Sequence, residues 1–224
     1  MSGPAPTNRT LISRHDGLAL PAYFAPAKGP RRGGVVVIQE IFGITDHIAA
    51  MCDRFAVEGY DALAPALFAR VDPAFYAAHD AEGVVRGRDA VMASAWPQVQ
   101  ADVQAAIDAL DGPVFITGFC YGGAVSFMAA ACCEGVVAAS CFYGRLINSL
   151  LSLAPRVPTI LHYGEHDAAI PLAMVDEVRA ALPDLPVHLY ASGHGFCREG
   201  SADFNAPARD LALARTLALF AQQA

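Results

Sequence analysis

Residues 113–131 constrain the fold of this chain more than any other stretch. They begin with the apolar run Val114-Phe115-Ile116-Thr117, typical of a buried strand, and end with an apolar run typical of a buried helix. Between them lies Gly118-Phe119-Cys120-Tyr121-Gly122, a turn in which two glycines flank a nucleophile. Because glycine tolerates the sharp strand-to-helix turn, the sequence predicts an exposed Cys120 at a helix N-terminus, where the helix dipole favours a thiolate.

Apolar segments with strand and helix periodicity alternate along the chain, which predicts an α/β fold with a mostly parallel, doubly wound sheet and helices on both faces. We expect a single domain over residues 1–224. The predicted strands cover residues 11–13, 18–24, 34–39, 60–65, 113–117, 136–143, 159–164 and 187–190. The predicted helices cover residues 47–58, 99–110, 124–131, 172–182 and 207–222.

Three segments have a less regular pattern. Residues 1–9 have no apolar core and are predicted to be a loose tail. Residues 11–24 are predicted to form a hairpin whose second strand lies at a sheet edge, because Pro21 cannot donate a backbone hydrogen bond. Residues 66–97 mix arginine, proline, glycine and aromatic residues, and we expect a lid-like excursion of short helices there.

Composition excludes several functional classes. The chain has 54% hydrophobic residues and a net charge of −7, which argues against a general binder of nucleic acid or anionic membranes. No apolar run reaches the roughly 18 residues of a membrane span, and no signal peptide is evident. The six cysteines are scattered without a C-x-x-C pair, so we expect reduced thiols in a cytoplasmic monomer or weak homodimer. We expect no metal and no other cofactor.

Two further residues complete a catalytic set with Cys120. Asp167 follows the predicted strand at 159–164, and His194 follows the one at 187–190, so all three lie where parallel strands end. The order nucleophile, acid, histidine is that of the α/β-hydrolases. In this arrangement Cys120 attacks a carbonyl carbon, His194 transfers the proton, and Asp167 fixes the histidine tautomer.

Other acids and histidines fit these roles less well. Asp61 lies early in the chain and Asp176 lies inside a predicted helix. His166 is predicted to be a loop histidine beside the acid. His162 and His188 lie within apolar strands and are predicted to be core or sheet histidines.

The chain resembles the dienelactone hydrolase family, the carboxymethylenebutenolidase-type enzymes, from about residue 10 to the C-terminus. The matching motifs are Gln39-Glu40-Ile41-Phe42-Gly43, Gly118-Phe119-Cys120-Tyr121-Gly122-Gly123, Gly164-Glu165-His166-Asp167, and Gly193-His194-Gly195-Phe196 followed by Arg198. The resemblance implies a Cys120, Asp167 and His194 triad. It also implies an oxyanion hole formed by the backbone N–H groups of Ile41 and Tyr121.

The resemblance further implies a carboxylate that restrains the nucleophile and arginines that bind the substrate. Glu40 is expected to contact the cysteine and to oppose its ionisation until an anionic substrate displaces it. Arg198 is expected to bind the substrate carboxylate. A second arginine is expected within residues 66–97, where Arg86 and Arg88 are both candidates and Arg86 is preferred.

The implied function is cofactor-independent hydrolysis of a carboxylate-bearing enol-lactone through an acyl-enzyme. Two alternatives remain open at the level of sequence. One is a broader esterase or thioesterase acting on other small acyl substrates, whereas the implied function expects a small anionic lactone or ester. The other is a non-catalytic protein of the same fold that senses oxidants through its exposed thiol.

Overall fold

Eight strands form one sheet in the computed structural model, which describes residues 5–223. Their order across the sheet is β1-β2-β4-β3-β5-β6-β7-β8. Their bounds are Arg9–Ile12 (β1), Ala19–Ala25 (β2), Gly33–Ile38 (β3), Tyr60–Pro65 (β4), Val114–Phe119 (β5), Val136–Phe142 (β6), Thr159–Gly164 (β7) and Val187–Tyr190 (β8).

The sheet is mostly parallel, as the sequence predicts. Strands β3 to β8 all pair in parallel, and only β1 with β2 and β2 with β4 are antiparallel. Strands β3 and β5 are buried along their whole length, which explains their nearly uninterrupted apolar sequences. Because these parallel strands all point the same way, their carboxyl ends bring residues that are distant in sequence to one edge of the sheet.

Six α-helices within the described residues cover both faces of the sheet. Their bounds are Asp46–Val57 (α1), Ala81–Ala93 (α2), Trp96–Asp108 (α3), Tyr121–Cys132 (α4), Leu172–Ala181 (α5) and Ala206–Ala221 (α6). Side chains of α1, α5 and α6 belong to one hydrophobic cluster, whereas α3 and most of α4 supply a second. The doubly wound architecture is therefore confirmed. Within residues 5–223, no helix combines the length and hydropathy that a membrane crossing requires.

The N-terminal region differs from the prediction in two respects. The hairpin of β1 and β2 forms, but β2 lies between β1 and β4 instead of at an edge. Pro21 is tolerated because its carbonyl faces β4 and accepts from Ala66 just beyond the end of that strand, so its missing N–H interrupts no regular ladder bond.

The segment expected to be a loose tail is partly ordered. Residues 1–4 lie outside the described part of the chain. Ala5 is buried and its N–H donates to the Ile44 carbonyl at 3.0 Å, while the Asn8 side chain exchanges hydrogen bonds with the Phe24 backbone. Arg9 already belongs to β1, so residues 5–9 pack along the hairpin.

Residues 66–97 form more regular structure than expected. A 3₁₀ turn at Leu67–Arg70 is followed by an irregular segment and then by α2, a helix of 13 residues capped by the Asp80 side chain. The buried residues of α2 are Gly83, Gly87 and Ala90, which are too small to produce a hydrophobic stripe in the sequence. The next helix, α3, begins at Trp96, three residues before its predicted start.

Candidate active site

Cys120 lies at the turn between β5 and α4, as its glycine-flanked motif predicts. Its backbone has φ 54° and ψ −112°, a conformation that L residues rarely adopt. A Cβ at Gly118 would collide with the Gly122 carbonyl, so this tight turn requires glycine. The Cys120 N–H donates to the Phe142 carbonyl at 3.1 Å, which fixes the strained turn to the end of β6.

The start of α4 packs directly on the end of β3. A Cβ at Gly122 would meet the Ile38 and Gln39 carbonyls, so the two backbones approach as closely as glycine allows. Tyr121 is the first residue of α4, and Ile41 lies in the loop after β3. In the part of the chain that the structure describes, no carbonyl accepts from the Tyr121 or Ile41 N–H. Both N–H groups that are predicted to form the oxyanion hole are therefore free to donate a hydrogen bond.

His194 contacts Cys120 from a loop that follows β8. Its Nε2 atom lies 3.3 Å from the Cys120 Sγ atom. We call residues 191–205 the histidine loop. Internal hydrogen bonds stabilise its conformation. Ser192 Oγ donates to the Asp203 carbonyl, and the Asn205 N–H donates to the Phe196 carbonyl.

Asp167 completes a continuous hydrogen-bonded line. Its Oδ2 atom lies 2.7 Å from His194 Nδ1, and its Oδ1 atom accepts from the N–H groups of Ala169 and Ile170. The Asp167 side chain is fully buried, whereas that of His194 is 29% exposed. The backbone donors thus hold the carboxylate in place while the histidine remains accessible at the mouth of the site.

The partners of His194 determine its charge. Burial acts to lower its pKa, but the hydrogen bond that Asp167 accepts from Nδ1 and the contact with Cys120 raise the pKa of His194 to about 10. At neutral pH the ring is therefore an imidazolium, and its Nε2–H group lies beside the Cys120 Sγ atom. A positive charge beside a cysteine stabilises the thiolate.

Glu40 lies in a second cluster. It is 2% exposed, and its Oε2 atom lies 3.6 Å from His79 Nε2 and 3.7 Å from Arg198 Nε. Burial acts to raise the pKa of Glu40, but the contact with His79 and the charge of Arg198 help to hold it below its usual value. In this structure Glu40 lies against these two side chains and close to His47, whereas the hydrogen-bond partner of Cys120 is His194.

The arginines predicted within residues 66–97 face elsewhere. Arg86 donates to the Tyr76 carbonyl and to Asp72 Oδ2, both at 2.8 Å, and its side chain is 51% exposed. Arg88 is exposed on the same helix. The buried face of α2 consists of Gly83, Gly87 and Ala90, so both arginines project from its other sides. Arg86 is thus paired within the protein, and its contact with the substrate stays a prediction.

Three residues near the site escaped the sequence analysis: His79, His47 and Tyr143. His79 lies in an irregular segment where no periodicity marks it. His47 is half-buried on α1, and the loss of solvent around its ring lowers its pKa to about 4. Tyr143 follows β6 with φ 36°, and its ring lies edge-on to His194 at 5.1 Å. Its position at the carboxyl end of a parallel strand was the signal that could have identified Tyr143.

The competing acids and histidines lie outside the site. Asp61 pairs with Arg31 and Asp176 with Arg179, while His166 is exposed. His162 is fully buried and hydrogen-bonds Ser140 and Tyr190, as expected of a core histidine.

The remaining thiols are core residues. Cys133, Cys141 and Cys197 are buried and Cys132 packs against the core. Among residues 5–223, no three His, Cys, Asp or Glu side chains converge as metal ligands.

Comparisons with known proteins identify the family of this chain. The family model described as "Dienelactone hydrolase family" matches residues 20–224. A protein named "Putative carboxymethylenebutenolidase" from Methylorubrum extorquens is 33% identical over 224 residues, covering 89% of this chain and 75% of that protein. One of the same name from Azospirillum brasilense is 30% identical, with coverage of 96% and 98%.

A solved structure gives the same result. The crystal structure of a "Putative Dienelactone Hydrolase" from Klebsiella pneumoniae superimposes with a TM-score of 0.84 at 29% identity, covering 99% of this chain and 98% of that one. The eight-stranded sheet is thus that of the α/β-hydrolase fold. From the match over residues 20–224 and the shared architecture, we conclude that this chain belongs to the dienelactone hydrolase family and is a hydrolase.

Proposed function

We propose that the protein opens a carboxylate-bearing enol-lactone through a thioester acyl-enzyme on Cys120. The observation that carries the proposal is the continuous line from Sγ through the His194 ring to Asp167, with distances of 3.3 and 2.7 Å. Such a line supplies a nucleophile, a proton donor and an orienting carboxylate in the resting molecule. The names of the relatives from M. extorquens and A. brasilense support the same class of substrate.

Acylation begins at the Cys120 sulfur. The thiolate adds to the lactone carbonyl carbon, a C–S bond forms, and the carbonyl electron pair moves to oxygen. The N–H groups of Ile41 and Tyr121 stabilise this oxyanion. When the carbonyl re-forms, the ring C–O bond breaks, and the departing enol oxygen takes the proton from His194 Nε2. Asp167 keeps the ring oriented throughout.

Deacylation reverses the proton transfer. Neutral His194 accepts a proton from a water molecule as the water oxygen adds to the thioester carbonyl. Collapse of the second oxyanion breaks the C–S bond and returns the thiolate beside the imidazolium. One water molecule is consumed, the single ring-opened product carries both a new carboxylic acid and the enol, and the enzyme regains its starting charges.

Arg198 supports an anionic substrate. The protein as a whole has a net charge of −7, so an anion needs a local positive group for binding. The Arg198 side chain is only 20% exposed and belongs to the same loop as His194. We call the hydrogen-bonded row of Cys120, His194 and Asp167 the catalytic line. A guanidinium held beside this line can anchor a carboxylate in a fixed orientation.

The direct test compares dienelactone with 4-nitrophenyl acetate, a small neutral ester, for the wild type and Arg198→Ala. We expect the wild type to prefer dienelactone and the variant to lose most of this preference through a higher KM. Arg179→Ala, which removes an exposed arginine on α5, is the matched control. Equal or better turnover of the neutral ester by the wild type would instead indicate a broader esterase.

Mass spectrometry of quenched reactions tests the acyl-enzyme separately. The expected adduct lies on the peptide containing Cys120. Absence of any adduct, together with reversible oxidation of Cys120, would contradict the proposal and favour the thiol sensor.

A further inference from the structure

Buried polar atoms without hydrogen-bond partners converge beside the catalytic line. They are Glu40 Oε2, His79 Nε2 and Arg198 Nε, and the two gaps to the Glu40 oxygen are 3.6 and 3.7 Å. Both distances exceed a normal hydrogen bond. Since buried polar atoms are nearly always paired, such a cluster indicates a place that another polar group can occupy.

His79 is fixed at this place by packing. Its side chain is 13% exposed and its ring lies on Phe42, with ring centroids 4.2 Å apart. The Ala77 N–H donates to the Phe42 carbonyl at 3.0 Å, which ties the segment before His79 to the loop that carries Glu40. The imidazole is therefore part of the wall of the site.

The charges of this cluster balance only while no substrate is bound. Arg198 carries one positive charge and Glu40 one negative charge, so a substrate carboxylate adds a second negative charge to a buried region. His47, which faces Glu40 from α1, is neutral at pH 7, because the loss of solvent around its ring lowers its pKa to about 4. Arg86 is engaged with Asp72 and the Tyr76 carbonyl. Besides Arg198, the basic side chain that lies within 4 Å of the Glu40 carboxylate is that of His79.

We propose that His79 is the second basic side chain that binds the substrate carboxylate, together with Arg198. In the resting molecule the Glu40 carboxylate lies beside Arg198 and His79, where the substrate carboxylate would bind. It is partly displaced when substrate binds. His79 is thus a specificity-determining residue. This inference rests on the proposed function, because it requires an anionic substrate.

The test uses dienelactone and its methyl ester, which differ only in the carboxylate. We expect His79→Gln to raise KM for dienelactone about tenfold, the effect of losing one charge-assisted hydrogen bond, with little change in kcat. The constants for the methyl ester should not change. His79→Lys, which keeps a basic side chain, should retain part of the preference. His15→Gln, in the turn of the β1–β2 hairpin, is the matched control.

Two outcomes would overturn the inference. One is an equal loss of activity of His79→Gln on both substrates, which would indicate a structural role. The other is a selective rise in KM in Arg86→Gln but not in His79→Gln, which would make Arg86 the second basic side chain. If the wild type shows no preference for dienelactone over its methyl ester, the proposed function itself fails. If the wild type shows the preference and His79→Gln keeps it, only the inference fails.

A measurement without turnover covers the case of a poorly active variant. Iodoacetate and iodoacetamide both alkylate a thiolate, with formation of a C–S bond and loss of iodide, but only iodoacetate carries a carboxylate. We expect His79→Gln to lower the ratio of the two alkylation rates at Cys120, measured by peptide mass spectrometry. An unchanged ratio in a folded variant, verified by circular dichroism, would contradict the role of His79.

Discussion

The catalytic line and the Glu40 cluster, which consists of Glu40, His79 and Arg198, are neighbours. They differ in how completely their polar atoms are hydrogen-bonded. In the line, both nitrogens of His194 and both oxygens of Asp167 have partners within hydrogen-bond contact. In the cluster, Glu40 Oε2, His79 Nε2 and Arg198 Nε are all buried without a hydrogen bond. The groups to which we assign the chemistry are thus organised before substrate arrives, whereas the groups to which we assign substrate selection are not.

This difference has a physical reason. Catalytic groups act best when they need no reorganisation during the reaction, so a complete set of hydrogen bonds favours rate. A binding site for an anion must be able to exchange its contacts, and tight internal pairing would compete with the ligand. Mutations in the catalytic line should therefore lower kcat, whereas mutations in the Glu40 cluster should change KM. The following predictions test that separation.

The largest effect is expected for Cys120→Ala. Removal of the nucleophile should lower kcat by at least about ten thousandfold, because the other catalytic groups act only through the sulfur. Circular dichroism should show an unchanged fold, since alanine keeps the Cβ atom. Cys132→Ala, which removes a partly buried thiol on α4, is the control and should remain active. Appreciable turnover by Cys120→Ala would exclude the acyl-enzyme.

Asp167→Asn should have the next largest effect. The amide keeps the shape of the side chain but no longer stabilises the imidazolium or the correct tautomer, so kcat should fall between roughly a hundred and ten thousandfold. KM should change little, because Asp167 lies behind the histidine. Steady-state kinetics with Asp176→Asn as the control would measure this. A variant with a changed KM and a normal kcat would contradict the separation of the two regions.

A smaller effect on binding is expected for Glu40→Gln. Without the competing negative charge, KM for dienelactone should fall about threefold, the size expected for one partly screened charge. Arg198 loses its counter-ion, so the variant should also unfold at a lower temperature. Glu58→Gln, at the exposed end of α1, is the control for both measurements. A higher KM for dienelactone would show that Glu40 assists binding instead of competing with it.

The smallest effect concerns pH. The folded pKa of His194, about 10, lies above the ordinary value of 6.5, so its charged interactions stabilise the fold fully below pH 6.5 and are lost as pH rises through 10. Activity should also decline near pH 10, because neutral His194 cannot protonate the leaving oxygen. A pH–rate profile and thermal melts from pH 6 to 11 would test both statements. In Asp167→Asn the alkaline decline should move to lower pH, and an unmoved decline would assign it to another group.

Much of the fold could be predicted because its signals are local. The spacing of Ile48, Met51, Cys52 and Phe55 matches the buried face of α1, and Gly59 stops that helix with φ 91°. The catalytic line was predictable too, because Cys120, Asp167 and His194 each follow a strand. Parallel strands bring such positions together without further information.

The Glu40 cluster was only half predictable. Its carboxylate is flanked by apolar residues, so the sequence indicated that Glu40 needs a partner. It did not identify His79 as one, because that residue lies 39 positions away in a segment without periodicity. Helix α2 was not predicted for a related reason. Its own buried residues are two glycines and an alanine, so its sequence has no pattern of large apolar residues.

The histidine loop links the two regions in one further way. It carries His194 and Arg198 four residues apart, and internal hydrogen bonds such as those of Ser192 and Asn205 make it a rigid unit. Laboratory evolution that lengthens or reshapes this loop to admit new substrates will therefore also displace the proton donor. Inherited changes in substrate preference should instead accumulate in the segment that carries His79, where sequence can vary without moving His194.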